Sequence, residues 1–180
     1  MPELPEVETT RRGLVPHLIG RRIAAVTIRD ARLRWPVPAD LADHLTGQRI
    51  EDVRRRAKYL ILALERDALI VHLGMSGALG LVAVGTPAGK HDHFELALDA
   101  GIALRLTDPR RFGSIHRVRG DPQRHPLLAS LGPEPLSADF DPQWLHRLTR
   151  GRRASIKETL MNARVVVGVG NIYASAARFR

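Results

Sequence analysis

Apolar positions along this chain change their period twice, and the changes divide it into parts. Over residues 6–18, Val7, Leu14 and Leu18 fall on one side while Thr9, Thr10, Arg11 and Arg12 occupy the other, which predicts a helix. From about residue 22 to 118 the apolar runs shorten and lie between turn residues. Segments 23–28, 50–53, 59–64, 69–73, 79–84, 94–98, 102–106 and 115–118 read as strands, several with alternating apolar and polar positions. Asp99-Ala100-Gly101 reads as a hairpin turn and residues 85–90, rich in Gly and Pro, as a loop. This spacing predicts an antiparallel β-sandwich packed with the N-terminal helix. Residues 120–140 lose periodicity and are punctuated by Pro122, Pro126, Pro133 and Pro135, the pattern of a linker. A helical pattern then resumes. Asp141-Pro142 looks like an N-cap followed by Pro at the first helical position, opening a helix to about Thr149. Ser155 with Glu158 forms a capping-box pattern for a helix to about Asn162, and the tight turn Gly168-Val169-Gly170 leads into a third helix at Asn171. The expectation is an α+β protein: residues 2–119 form a helix and antiparallel β-sandwich, 120–140 a linker, and 141–180 a helical domain.

Composition narrows the partners. Hydrophobic residues make up 44% of the 180, enough for a core, and the formal net charge is +9 with a pI near 11.2. Only Lys58, Lys90 and Lys157 among the 28 basic side chains are not arginine. Guanidinium forks suit phosphates and base edges, so a nucleic-acid partner fits, although ribosomal and membrane-surface proteins share such a charge. The absence of cysteine excludes disulfides and thiolate metal sites within these 180 residues. No apolar run approaches the roughly 20 residues of a membrane span, and the acidic N terminus lacks the blocks of a signal peptide. A cytoplasmic protein that does not engage a membrane is expected.

Several residues can carry chemistry. Removal of Met1 would expose the secondary α-amine of Pro2, and α-amines titrate near 7.7–8.0, so a useful fraction is nucleophilic near neutral pH. Such an amine attacking a sugar C1′ can form an iminium and split one hard displacement into two easier steps, with Glu3 beside it as an acid or base. Lys58 closes the run Arg54-Arg55-Arg56-Ala57-Lys58, in which strand alternation would send Arg54, Arg56 and Lys58 to one face. That face fits either a polyanion or a solvated, aggregation-resistant sheet edge. In His91-Asp92-His93 both imidazoles would share a face, but two histidines with no third ligand nearby are weak evidence for a metal site. The glycines before Asn171 could offer backbone N–H groups to a phosphate at a helix start.

Taken together, Pro2-Glu-Leu-Pro-Glu-Val-Glu8, Arg55-Arg-Ala-Lys-Tyr59, His72-Leu-Gly-Met-Ser-Gly77, His91-Asp-His93, Thr107-Asp-Pro-Arg-Arg-Phe-Gly113 and Val165-Val-Val-Gly-Val-Gly-Asn-Ile-Tyr-Ala-Ser175 closely resemble the formamidopyrimidine-DNA glycosylases. These are bacterial repair enzymes that excise oxidised purines and nick the strand. The resemblance implies a helix–two-turn–helix motif in the second part and base excision repair through an N-terminal proline Schiff base. It implies catalytic roles for Pro2, Glu3 and Lys58, and DNA contacts from His91, Arg110, Arg152 and Asn171, with Lys157 a further candidate. Met75, Arg110 and Phe112 would insert into the base stack once the damaged base is flipped out. The expected partner is double-stranded DNA holding oxidised purines or abasic sites, met by a monomer in the bacterial cytoplasm at the nucleoid, without a cofactor. Family members continue past Arg180 into a four-cysteine zinc finger that this sequence lacks, and they usually carry Glu where Ala176 stands. The resemblance therefore implies a truncated member or a fragment, either an active glycosylase and AP lyase or a non-catalytic duplex-DNA-binding derivative.

Overall fold

The computed structural model describes residues 2–177. Helix α1 (Leu4–Leu18) is followed by β1 (Ile23–Ile28), α2 (Leu41–Leu45) and seven further strands: β2 (Ile50–Arg56), β3 (Tyr59–Leu64), β4 (Asp67–His72), β5 (Ala78–Ala83), β6 (Asp92–Leu98), β7 (Ile102–Thr107) and β8 (Ser114–Arg119). They pair, antiparallel throughout, into two four-stranded sheets ordered β1-β6-β7-β5 and β2-β3-β4-β8. One core fills the space between them, joining Phe94, Leu96 and Leu104 of the first sheet to Val53, Leu60, Leu62 and Leu69 of the second. Val7, Leu14 and Leu18 of α1 seal it, as their helical spacing requires.

The second sheet is covered on its outer face too, which explains why β3 and β4 read as almost continuous apolar runs. Its cover comes from the stretch expected to be a plain linker. That stretch holds a 3-10 turn (Pro122–Arg124) and the short helix α3 (Pro126–Ala129). Leu128, 2% exposed, packs on Ile61, Ala68 and Ile70. Helices α4 (Pro142–Thr149), α5 (Ile156–Met161) and α6 (Asn171–Ala176) follow among the described residues. The Asp141 side chain caps α4 by accepting the Trp144 N–H at 2.6 Å, and Ser155 with Glu158 forms the capping box of α5. The fold is α+β, and none of the described helices is long and apolar enough to cross a membrane.

The face expected for Arg54, Arg56 and Lys58 does not form. Pairing of Arg56 with Tyr59 makes Ala57-Lys58 a two-residue hairpin turn, with Ala57 in the left-handed region at φ 53°. Strand alternation therefore stops before Lys58. The arginines are neutralised internally: Arg54 meets Asp52 at 2.7 Å, Arg55 meets Glu8 and Glu134, and Arg56 meets Glu134.

Candidate active site and nucleic-acid interface

The start of the chain is held by its far end. Glu3, only 2% exposed, directs its carboxylate at the N terminus of α6, accepting N–H bonds from Gly170 (2.7 Å), Ile172 (2.9 Å) and Tyr173 (3.3 Å). The backbone adds a bond from Leu4 N–H to the Gly168 carbonyl (3.1 Å). Both glycines are required sterically. A Cβ on Gly170 would lie 2.5 Å from the Glu3 carboxyl carbon, and one on Gly168, at φ +81°, would lie 2.4 Å from the Leu4 side chain. Within the glycine turn the Gly170 N–H meets a carboxylate of the protein itself, and the same Glu3 oxygens anchor the first turn of α6. Pro2 sits partly exposed beside this anchor, and Asn171 is exposed as the first residue of α6.

Lys58 converges on the same corner, donating from Nζ to the Val169 carbonyl at 3.2 Å. Burial lowers its pKa from the usual lysine range, against the opposing pull of Glu3 and Glu6. A lysine so placed parts with a proton more readily than one in water. Glu134 braces the hairpin that presents it, binding Arg55 (2.8 Å), Arg56 (3.1 Å) and the Ala57 N–H (2.8 Å). Those hydrogen bonds outweigh the opposing effect of burial and keep the Glu134 carboxyl below its usual pKa.

A second group stands on the sandwich. Met75, Arg110 and Phe112 sit on neighbouring loops and line one cavity of about 690 Å³ together with Arg32, Arg34 and His72. Met75 is 43% and Phe112 41% exposed, although a core position would be the ordinary place for either. The Arg110 guanidinium lies 4.6 Å from the centre of the Phe112 ring, stacked on its face. His91 immediately precedes β6, its ring 6.4 Å from that of His93, which is buried against the Asp108 carbonyl. Arg152 lies on the exposed segment between α4 and α5, and Lys157 on α5 is partly exposed.

His72 connects the two groups and was not singled out as a site residue by the sequence. It lines the large cavity and also a smaller one, about 160 Å³, shared with Lys58 and Val169. Burial lowers its pKa to about 4, assisted by the nearby charges of Lys58 and Arg34. The Gly74 N–H donates to its Nδ1 at 3.0 Å, so the neutral ring carries its proton on Nε2. It is thus an uncharged donor at neutral pH. The only sequence signal was its place at the outward end of β4.

Two antiparallel sheets sealed by an N-terminal helix, joined through Glu3 and Lys58 to a glycine turn between helices, define the class. The comparisons identify it. Residues 1–115 match the formamidopyrimidine-DNA glycosylase N-terminal domain and residues 131–180 match the formamidopyrimidine-DNA glycosylase H2TH domain. The chain is 58% identical over 180 residues to the formamidopyrimidine-DNA glycosylase of Methylococcus capsulatus and 60% identical over 179 residues to that of Stutzerimonas stutzeri. These alignments take in 100% and 99% of the chain and 66% of each relative. A Lactococcus lactis formamidopyrimidine-DNA glycosylase bound non-covalently to DNA containing an AP site superimposes with a TM-score of 0.86 at 36% identity, covering 95% of this chain and 66% of that one. The chain belongs to the formamidopyrimidine-DNA glycosylase family. It spans 66% of the length of these relatives. The family's four-cysteine zinc site has no counterpart in these 180 residues, which contain no cysteine to supply its ligands.

Proposed function

We propose that this chain excises oxidised purines from double-stranded DNA and cleaves the strand at the resulting abasic site, acting as a cytoplasmic monomer without a cofactor. One observation carries the reading: Glu3, next to Pro2, and Lys58 both bond to the same glycine turn, and His72 links that corner to a cavity edged by Met75, Arg110 and Phe112. Relatives of this fold have been captured on DNA with an abasic site, which supports the same partner here.

In the proposed reaction the free Pro2 nitrogen uses its lone pair to form a bond to C1′, and the glycosidic pair departs with the base, which takes up a proton. The attached nitrogen then gives up its N–H proton and its lone pair opens the C1′–O4′ bond, the proton passing to O4′, and the iminium so formed makes the C2′ hydrogen acidic. Loss of that proton expels the 3′ phosphate by β-elimination, and water then releases the sugar from Pro2. Lys58 supplies the mobile proton, and Glu3, held against α6 beside the nucleophile, assists proton transfer at the sugar. Met75 and Phe112 offset the cost of unstacking by filling the vacated space, while Arg110 meets the orphaned base and His91, Arg152 and Asn171 hold the backbone.

Borohydride trapping on abasic and 8-oxoguanine duplexes tests this. Mass spectrometry of the trapped peptide is expected to place the sugar on the Pro2 nitrogen. Attachment to a lysine side chain, or no adduct, overturns the mechanism. Salt-dependent duplex binding without any adduct would identify a DNA-binding derivative instead.

A further inference from the structure

We infer that Asp108 is a positioning residue for base extrusion: a buried carboxylate that locks the Met75 loop, the Arg110–Phe112 loop and the end of β6 into one platform. This rests on the glycosylase reading and deepens it. Asp108 is fully buried, at 0% exposure, and among the described residues no ion pair reaches it. Burying a carboxylate is unfavourable unless its lone pairs are filled. Here they are filled from two separate loops. Oδ1 accepts the Ser76 hydroxyl at 2.7 Å and Oδ2 accepts the Gly113 N–H at 2.7 Å. The Asp108 backbone engages β6, with its N–H on the His91 carbonyl at 2.9 Å and its carbonyl on His93 Nε2 at 2.8 Å. Ser76 passes the connection on by accepting the Arg110 N–H at 3.2 Å.

The loops so joined have no slack. A Cβ on Gly74 would lie 2.4 Å from the Phe112 carbonyl carbon, and one on Gly113 would lie 2.9 Å from the His72 oxygen. Between Arg110 and Phe112, Arg111 adopts φ 56°, a left-handed conformation costly for a side chain of its size. Three exposed side chains thus stand on a base that is buried, crosslinked and strained. A wedge can open a base step only if its support does not yield, and a carboxylate buried without a cation is a means of fixing that support.

The test uses the full chain with Asp108→Asn, which keeps the size but presents one oxygen too few, and Ser76→Ala, which removes the bridge from a half-buried position. Duplexes carry 2-aminopurine beside an abasic-site analogue, so that unstacking reads as fluorescence. Asp108→Asn is expected to cut the fluorescence rise roughly tenfold, in line with the cost of a small misplacement, and Ser76→Ala less. Borohydride trapping on a single-stranded abasic oligonucleotide has no stack to open, and its yield should fall by less than about twofold. Without DNA, Asp108→Asn should speed hydrogen exchange at the Gly113 and Arg110 amides. Equal losses on duplex and single strand, or unchanged exchange at both amides, overturn the assignment. Absence of any adduct with the unaltered chain would defeat the glycosylase reading alone, because the exchange measurement still decides the role of Asp108.

Discussion

The two halves of the site are built on opposite plans. The Pro2–Lys58 corner is assembled across the molecule: Glu3 bonds to residues 167 to 170 positions away, and Lys58 to one 111 positions away. The Met75–Phe112 platform lies within the sandwich, and its carboxylate bridge spans 32 positions. A corner made this way depends on docking of the second part of the chain, whereas the platform depends only on loops of one sheet pair. Nucleophile chemistry and base extrusion should therefore respond to different damage.

The largest separation is expected at Glu134. Glu134→Ala would leave Arg55, Arg56 and the Ala57 N–H without their shared acceptor at the junction. Arg55 keeps Glu8, and Arg56 keeps the carbonyls of Leu131 and Gly132, so the loss falls short of stranding a buried charge. A cost of about 3 kcal/mol in denaturant unfolding is expected. Adduct formation should suffer more than the 2-aminopurine response. Equal loss of both would show that corner and platform are not mechanically separate.

His72 tests the seam between the two plans. Its folded pKa, near 4, lies below the ordinary histidine value, so the unfolded chain binds more protons as pH falls. The stability it contributes is complete above about pH 6.5 and drains away as pH drops toward 4. A shift of that size on a partly buried ring corresponds to about 2 kcal/mol. Unfolding curves at pH 7 and pH 4.5 should show that loss in the parent chain and a smaller one in His72→Gln. An identical pH slope in both would remove His72 from the buried seam.

Much of this was legible in the pattern of residues. The eight strands, the N-terminal helix and the caps at Asp141 and Ser155 rest on short-range periodicity and polar signals that survive folding. The Ala57-Lys58 hairpin was hidden because its left-handed residue is alanine, which gives no glycine signal, so the strand seemed to continue through it. Glu134 and Asp108 were hidden for a different reason. Their importance lies in partners remote along the chain, and a lone acidic residue in a polar stretch reads as solvated. Glu3 was visible beside Pro2, yet its N–H partners on the distant turn and helix were not, because they lie 167 to 170 positions away. Exposure of Phe112 ran against its type, and only the family resemblance placed it at the surface.

Arg54 sharpens the contrast from the other side, since it belongs to neither plan. Its guanidinium meets Asp52 two residues away on β2, with the Arg54 side chain largely in solvent and that of Asp52 partly so. That pair lowers the Asp52 pKa, but an exposed ion pair of this kind contributes little to folding. Arg54→Ala should therefore change stability by less than about 0.5 kcal/mol and leave the slope of duplex affinity against salt unchanged. If the slope drops by about one, Arg54 contacts a phosphate after all. The interface would then extend along β2, and the internal pairing of this arginine run would be a resting state that DNA displaces.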